Sequence, residues 1–267
     1  MAVTEETMLE LRSVSHVYVG KQGASLAVED MNLTVARGEF ISLVGPSGCG
    51  KTTVLSLLAG LFPPASGTVI MAGRRVQKPS SKVGYMLQQD CLLPWRTILN
   101  NAALGLEISG MPRPEAHAAA ERLLEEVGLS GTGGRYPAEL SGGMRQRVAL
   151  ARTLAPDPEV LLLDEPFSAL DMHIKMQLED LVQSTLRKLG KTAVLVTHDL
   201  AEAAAMSDRV LVLGRNPGHI RTELRIPEEL RRLAPTEARK HPTFQDVFDS
   251  LWEEMGAGEK EGGSLDE

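Results

Sequence analysis

The stretch EFISLVGPSGCGKTTVLSLLAG, residues 39–60, passes from a strand through a glycine-rich turn into a helix. FISLV (40–44) is a continuous apolar run of strand length, and KTTVLSLLAG (51–60) has helical spacing and ends on a glycine, a common stop signal. Between them GPSGCGKT (45–52) matches G-x-x-x-x-G-K-[ST]. Glycines let successive backbone N–H groups turn inward and approach a phosphate with no Cβ in the way. The helix start aims its positive dipole end at the same point. In this reading Gly45, Pro46, Ser47, Gly48, Cys49, Gly50, Lys51, Thr52 and Thr53 line a nucleotide's phosphates, Lys51 reaches the β- and γ-phosphates, and the Thr52 hydroxyl ligates Mg²⁺. The bland alternative is a glycine-rich turn with a chance lysine. The strand before it and the helix after it are the context a phosphate loop needs. Alone, such a loop serves kinases, GTPases, motors and transport ATPases.

Outward from this stretch, the chain alternates short apolar runs with helical patterns. KVGYML (82–87), EVLLLD (159–164), TAVLVT (192–197) and RVLVL (209–213) read as strands, several of them apolar throughout, as strands covered on both faces are. SLAVEDMNLTV (25–35) and GTVIMAG (67–73) alternate and suit an antiparallel edge sheet. MHIKMQLEDLVQSTLRKLG (172–190) reads as a helix. Residues 90–157, with RPEAHAAAERLLEEVGL (113–129), carry helical spacing and no convincing strand, so they read as a helical insertion in an α/β core. Beyond residue 216 a C-terminal extension (217–267) is expected, with FQDVFDSLWEEM (244–255) as a helix and GAGEKEGGSLDE (256–267) without fixed structure.

Composition bounds the rest. The 267 residues are 43% hydrophobic, enough for a sizeable core. A net charge of -7 leaves no basic footprint for a nucleic-acid binder. Two cysteines, Cys49 and Cys91, are no disulfide framework, which fits a reducing compartment. The acidic opening MAVTEETMLE has no apolar signal-peptide region, and no run approaches the roughly 18–20 apolar residues of a membrane helix. Cys49 lies near a helix N-terminus, where a thiol pKa tends to fall, so a thiol that nucleotide shields from alkylation is one expectation; a small packing residue is the other.

VLLLDEP (160–166) is an apolar strand ending in two acids. A buried strand delivers its last side chains to the C-terminal edge of the sheet, where ligands bind in such folds. Asp164 is placed to hold Mg²⁺ through water and Glu165 to polarise the attacking water. The alternative for both is an acidic cap on the next helix.

ELSGGMRQRVALARTLAPDPEVLLLDEPFSALD (139–171) closely resembles the ATP-binding subunits of ABC transporters. The resemblance covers roughly residues 9–216. It implies a P-loop, RecA-like α/β core with an antiparallel β subdomain and an inserted α-helical subdomain, followed by the short helical extension. It also implies roles. The Ser141-Gly142-Gly143 turn is a second anion site at a helix start. Tyr18 is the aromatic that stacks on adenine. Gln88 is the glutamine that contacts Mg²⁺ and signals to the membrane partner, with Gln89 its rival; Gln88 is preferred because Pro94 follows it by six positions. Asp171 in SALD (168–171) faces the other subunit, and His198 contacts the γ-phosphate. Met144 departs from the glutamine of many relatives.

The lack of membrane helices, of a long coiled coil and of a second cassette resembles the separate ATPase subunit of a bacterial importer. LLPWRTILNNAALGLEISG (92–110) and GRNPGHI (214–220) resemble the group for nitrate, taurine and aliphatic sulfonates, with Trp95 near the surface that receives the membrane subunit, or else an ordinary packed aromatic. The implied partners are a second copy of the chain or a homologous ATPase subunit, transmembrane permease subunits and, indirectly, a solute-binding protein; nucleic acid is not expected. The implied place is the cytoplasmic face of a bacterial membrane, held there through the permease. ATP and Mg²⁺ are the implied substrate and cofactor. A regulatory ATP binder and a soluble small-molecule kinase are the competing classes, and intact Glu165 and His198 argue against the first, the Ser-Gly-Gly turn against the second.

Overall fold

The computed structural model describes residues 6–20, 23–168 and 170–262. In chain order the strands are β1 (Thr7–Gly20), β2 (Gly23–Ala36), β3 (Phe40–Val44), β4 (Ser66–Met71), β5 (Arg74–Arg75), β6 (Val83–Met86), β7 (Val160–Asp164), β8 (Thr192–Val196), β9 (Arg209–Gly214) and β10 (His219–Arg225). The helices are α1 (Lys51–Leu58), α2 (Ile98–Ala102), α3 (Leu104–Ile108), α4 (Arg113–Glu126), α5 (Gly142–Leu154), α6 (Met172–Lys188), α7 (Leu200–Met206), α8 (Glu228–Arg231), α9 (Pro235–Ala238) and α10 (Thr243–Gly262).

Every residue of β3, β7, β8 and β9 is buried, which is why these strands read as unbroken apolar runs. They form a sheet of order β10-β9-β3-β8-β7-β6, parallel except for β10. Alternate side chains enter two different cores, as the period of a strand requires. Phe40, Leu161, Leu163, Ala193 and Leu195 pack with Ile98, Leu124, Val148 and Leu178 of the helical insertion and α6. Ile41, Leu43, Leu162, Val194 and Val196 pack with Val54, Leu55 and Leu58 of α1 and with Leu9, Leu11 and Val35. Leu55 and Leu58 are fully buried, each stabilising the fold by about 1.5–3 kcal/mol. They tie α1, and with it the phosphate loop, to the sheet.

The second sheet, β2-β1-β4-β5, is antiparallel and half-buried. β1 escapes a simple alternating pattern because its register against β2 shifts between Leu11 and Val14, with Ser13 at φ 45. Such a bulge resets which side chains face inward.

The insertion is helical, as expected, but it has no separate core: it shares one with the sheet. The boundary expected at 216/217 falls inside the hairpin that joins β9 to β10, so that strand β10 belongs to the expected extension. Its helices pack on the sheet and α7 through Ile226, Leu230, Ala238, Phe244 and Leu251, against Val44, Val210 and Val212. Helix α10 is described past Met255, to Gly262. Residues 1–5, Ala169 and 263–267, on which part of the N-terminal, SALD and tail expectations fell, lie outside the described residues. Among the described residues no helix is long and apolar enough to cross a membrane.

Candidate functional site

The turn between β3 and α1 encloses the buried ammonium of Lys51, which donates to the carbonyls of Gly45 (2.7 Å) and Pro46 (3.0 Å). The side chain is thus folded along the loop, with its charge held where a phosphate would sit. Gly50 opens α1 at φ 90, and a Cβ there would lie 2.5 Å from Val28 Cγ1. No larger residue lets the loop lie this close to β2.

The Cys49 expectation resolves in favour of packing. Its side chain is fully buried in the core beneath the loop, and burial pushes the thiol pKa up, against the smaller opposing pull of Lys51. Burial among the apolar side chains beneath the loop outweighs both the helix end and the Lys51 ammonium, which reaches the sulfur at 3.7 Å.

A cavity of about 480 Å³ extends from the loop. Ser47, Gly48, Gly50, Lys51, Thr52 and Thr53 form one wall, Tyr18 another, and Glu165 reaches in from the end of β7. Tyr18 is half exposed, with its hydroxyl 3.3 Å from Thr53 Oγ1, so its ring borders the cavity. Asp164 is not a helix cap; α6 begins at Met172 and is capped by Asp171, which accepts from the Ile174 amide at 3.1 Å. Asp164 instead accepts from the Thr52 hydroxyl and the Tyr85 hydroxyl, both at 3.4 Å. Burial raises the Asp164 pKa, while those two hydrogen bonds pull it down. Burial also pushes the Tyr85 phenol up to about 12, so it is a fixed donor to the carboxylate.

Glu165 has φ 46, a left-handed backbone that a glutamate seldom adopts. Its amide donates to Val196 (2.9 Å), and its carbonyl accepts from the Ser168 hydroxyl (3.1 Å), which hold the turn in place. The carboxylate meets His198 Nδ1 at 3.2 Å and Gln88 Nε2 at 3.4 Å. Three segments far apart in sequence therefore converge on one carboxylate. Of the two glutamines it is Gln88 that reaches Glu165, and both border a second cavity.

The hydroxyl of Thr52, the carboxylate of Asp164 and the amide of Gln88 are hard donors beside a phosphate cradle. That set suits Mg²⁺, which takes few protein ligands and shares substrate phosphates. Among the described residues no group of three or more His, Cys, Asp or Glu forms a cage of its own.

The Ser141-Gly142-Gly143 turn lies elsewhere. Ser141 caps α5, its hydroxyl accepting from the Met144 amide at 3.3 Å. Gly142 borders a cavity with Gln88, Gln89 and Arg145 that contains no residue of the phosphate loop. A Cβ on Gly143 would lie 2.3 Å from Ile174 Cγ2, so this glycine also lets α5 pack closely on α6. Trp95 is 72% exposed, which excludes a packed core aromatic.

Sequence reasoning missed two groups. Tyr85 carried no motif; only the pairing of β6 with β7 brings it to Asp164. The turn Asn216-Pro217-Gly218 borders the nucleotide cavity beside Ser25, Leu26 and Ala27. Gly218 exchanges hydrogen bonds with β2, donating to Ala27 (3.1 Å) and accepting from Glu29 (2.9 Å). A Cβ on it would be 2.2 Å from the Cys49 carbonyl, so the Cys49–Gly50 backbone is held between this turn and β2. GRNPGHI was visible as a motif, but nothing in one sequence told what it touched.

Comparison with known proteins agrees with this geometry. The family model described as ABC transporter matches residues 28–168. The chain is 49% identical over 255 residues to YtlC of Bacillus subtilis (strain 168), described as an uncharacterized ABC transporter ATP-binding protein, covering 96% of this chain and 98% of that one. It is 42% identical over 207 residues to the taurine import ATP-binding protein TauB of Escherichia coli (strain K12), covering 78% and 81%. Among solved structures, the dimeric post-hydrolysis state of the ATP-binding cassette MJ0796 bound to ADP and Pi matches with a TM-score of 0.73 and 31% identity, over 82% of this chain and 99% of that one. The chain belongs to the ABC transporter family, as an ATP-binding subunit with ATPase activity.

Proposed function

We propose that this ATPase subunit powers a membrane importer for a small anion of the nitrate, sulfonate or taurine kind, and that each nucleotide is held between two copies of the chain. The importer reading is supported by the TauB relatives and by the exposed Trp95 within the segment 88–96. In that assembly the chain sits peripherally at the cytoplasmic face of the membrane, and a solute-binding protein acts on the far side.

The shared-site reading rests above all on one observation. The cavity around Lys51 contains a phosphate cradle, an aromatic wall and an acid, yet the Ser141 turn borders a different cavity of the same chain. A second copy supplies the missing wall. Backbone N–H groups of 45–53 and the Lys51 ammonium bind the phosphates, Tyr18 stacks on adenine, and Thr52, Gln88 and Asp164 hold Mg²⁺. Mg²⁺ held there would supply charge neutralisation to the phosphates. Glu165 accepts the proton of the attacking water, oriented by His198 and Gln88 on its flanks; His198 also faces the γ-phosphate. The partner copy's turn closes over that phosphate, excludes water and adds donors. ATP favours the closed pair because only that pair contacts it from both sides, and hydrolysis removes the preference.

Glu165→Gln tests this. It keeps ATP binding, slows turnover by about 10²–10⁴-fold, and accumulates a dimer on size-exclusion chromatography with Mg·ATP. Adding Ser141→Arg to that variant returns it to monomer with nucleotide still bound. Normal turnover in Glu165→Gln removes the glutamate as base; a dimer that survives Ser141→Arg removes the shared site.

A further inference from the structure

A second cavity, about 550 Å³, lies at the opposite end of α1 from the phosphate loop. Ala59, which caps that end of the helix, forms its floor with Met71, Val76 and Val83. These residues are buried or half-buried and pack on the core beneath. Its rim carries five basic side chains, Arg37, Arg74, Arg75, Lys78 and Lys82, and one acid, Glu159. This concentration of positive charge stands out in a chain of net charge -7.

The one acid is already engaged. Lys82 lies 2.5 Å and Arg37 3.1 Å from the Glu159 carboxylate, and these contacts hold its pKa below the usual range. Arg74, Arg75 and Lys78 pair with no carboxylate among the described residues. An isolated surface arginine needs no ligand to explain it. Three unpaired cations around an apolar floor are different: they focus a positive potential on a surface that gains from covering apolar area. Guanidinium groups match sulfonate, carboxylate and phosphate oxygens two at a time.

We propose that this cavity is a second binding site, for a small organic anion with an apolar body. The anionic group pairs with Arg74, Arg75 and Lys78, and the apolar body covers Met71, Val76 and Val83. The same chemistry occurs in a soluble organic anion and in the head of an anionic lipid, two sources that the test separates.

The test uses the full chain with a non-hydrolysable ATP analogue and Mg²⁺ at saturation, so that the nucleotide cavity is filled. Anilinonaphthalene sulfonate is titrated and its fluorescence followed. Saturable binding is expected, displaced by octanesulfonate at lower concentration than by inorganic sulfate. Arg74→Glu with Arg75→Glu weakens it by about tenfold or more, and Lys78→Gln by a smaller factor. ATPase activity stays unchanged in these variants, which also reports that they fold. Absence of saturable binding, binding indifferent to both variants, or equal displacement by sulfate and octanesulfonate overturns the proposal. So does flotation with phosphatidylglycerol vesicles, but not phosphatidylcholine ones, in a protein that fails to bind the soluble probe.

Discussion

Raising the pH from about 5 to 8 is expected to weaken this fold through one side chain, Glu202, whose titration spans that range. It lies on α7, 2% exposed, with Lys175 at 2.9 Å and the carboxylates of Glu179 and Asp199 nearby. Lys175 also pairs with Asp199 (2.7 Å), and Arg239, just after α9, with Glu179 (2.6 Å). Three acids thus share two cations. Burial dominates and lifts the Glu202 pKa from 4.5 to about 7, against the pull of Lys175. Between those values the folded chain holds a proton that the unfolded chain releases. The stabilisation is complete below 4.5 and is lost as pH rises through about 7. At about 1.4 kcal/mol per pH unit the loss is roughly 3 kcal/mol. Urea unfolding of the wild type and Glu202→Gln, at matched pH values, isolates this contribution. The glutamine cannot ionise, so the wild type loses roughly 3 kcal/mol relative to it as pH rises from about 5 to 8. Other titrating groups, including Asp199 with its lowered pKa, are common to both chains and largely cancel. Parallel stability curves for the two proteins would refute the reasoning.

Two further outcomes follow from close contacts at the phosphate loop. Gly218→Ala places a Cβ 2.2 Å from the Cys49 carbonyl, and the forced shift costs about 1–3 kcal/mol. Affinity for a fluorescent ATP analogue is expected to fall while the β9–β10 hairpin still folds; unchanged affinity counts against this turn as a brace on the loop. In the folded protein iodoacetamide modifies exposed Cys91 and spares buried Cys49, with ATP or without it. Equal modification of both thiols in the absence of ATP would show that Cys49 is accessible after all.

Much of the site was legible because its parts are local. FISLV needs only its own side chains to read as a buried strand, and GPSGCGKT only its own backbone to read as a phosphate cradle. The order of motifs then pointed to Gln88, Asp164, Glu165 and His198, and the structure brings Gln88 and His198 to the Glu165 carboxylate. The C-terminal segment was less legible. Its helices are short and its strand β10 is mostly polar, so neither periodicity nor composition announced that it completes the core sheet.

What the sequence by itself determined is the chemistry present: a lysine at a helix start, two acids at a strand end, and a second glycine turn opening another helix. Each depends on residues within one turn or strand of one another. Only the tertiary structure decided that Cys49 faces the core, that Tyr85 donates to Asp164, that Gly218 backs the phosphate loop and that Gly142 borders a separate cavity. Those facts depend on strand order and on contacts across scores of residues, where burial and close approach outweigh any local preference.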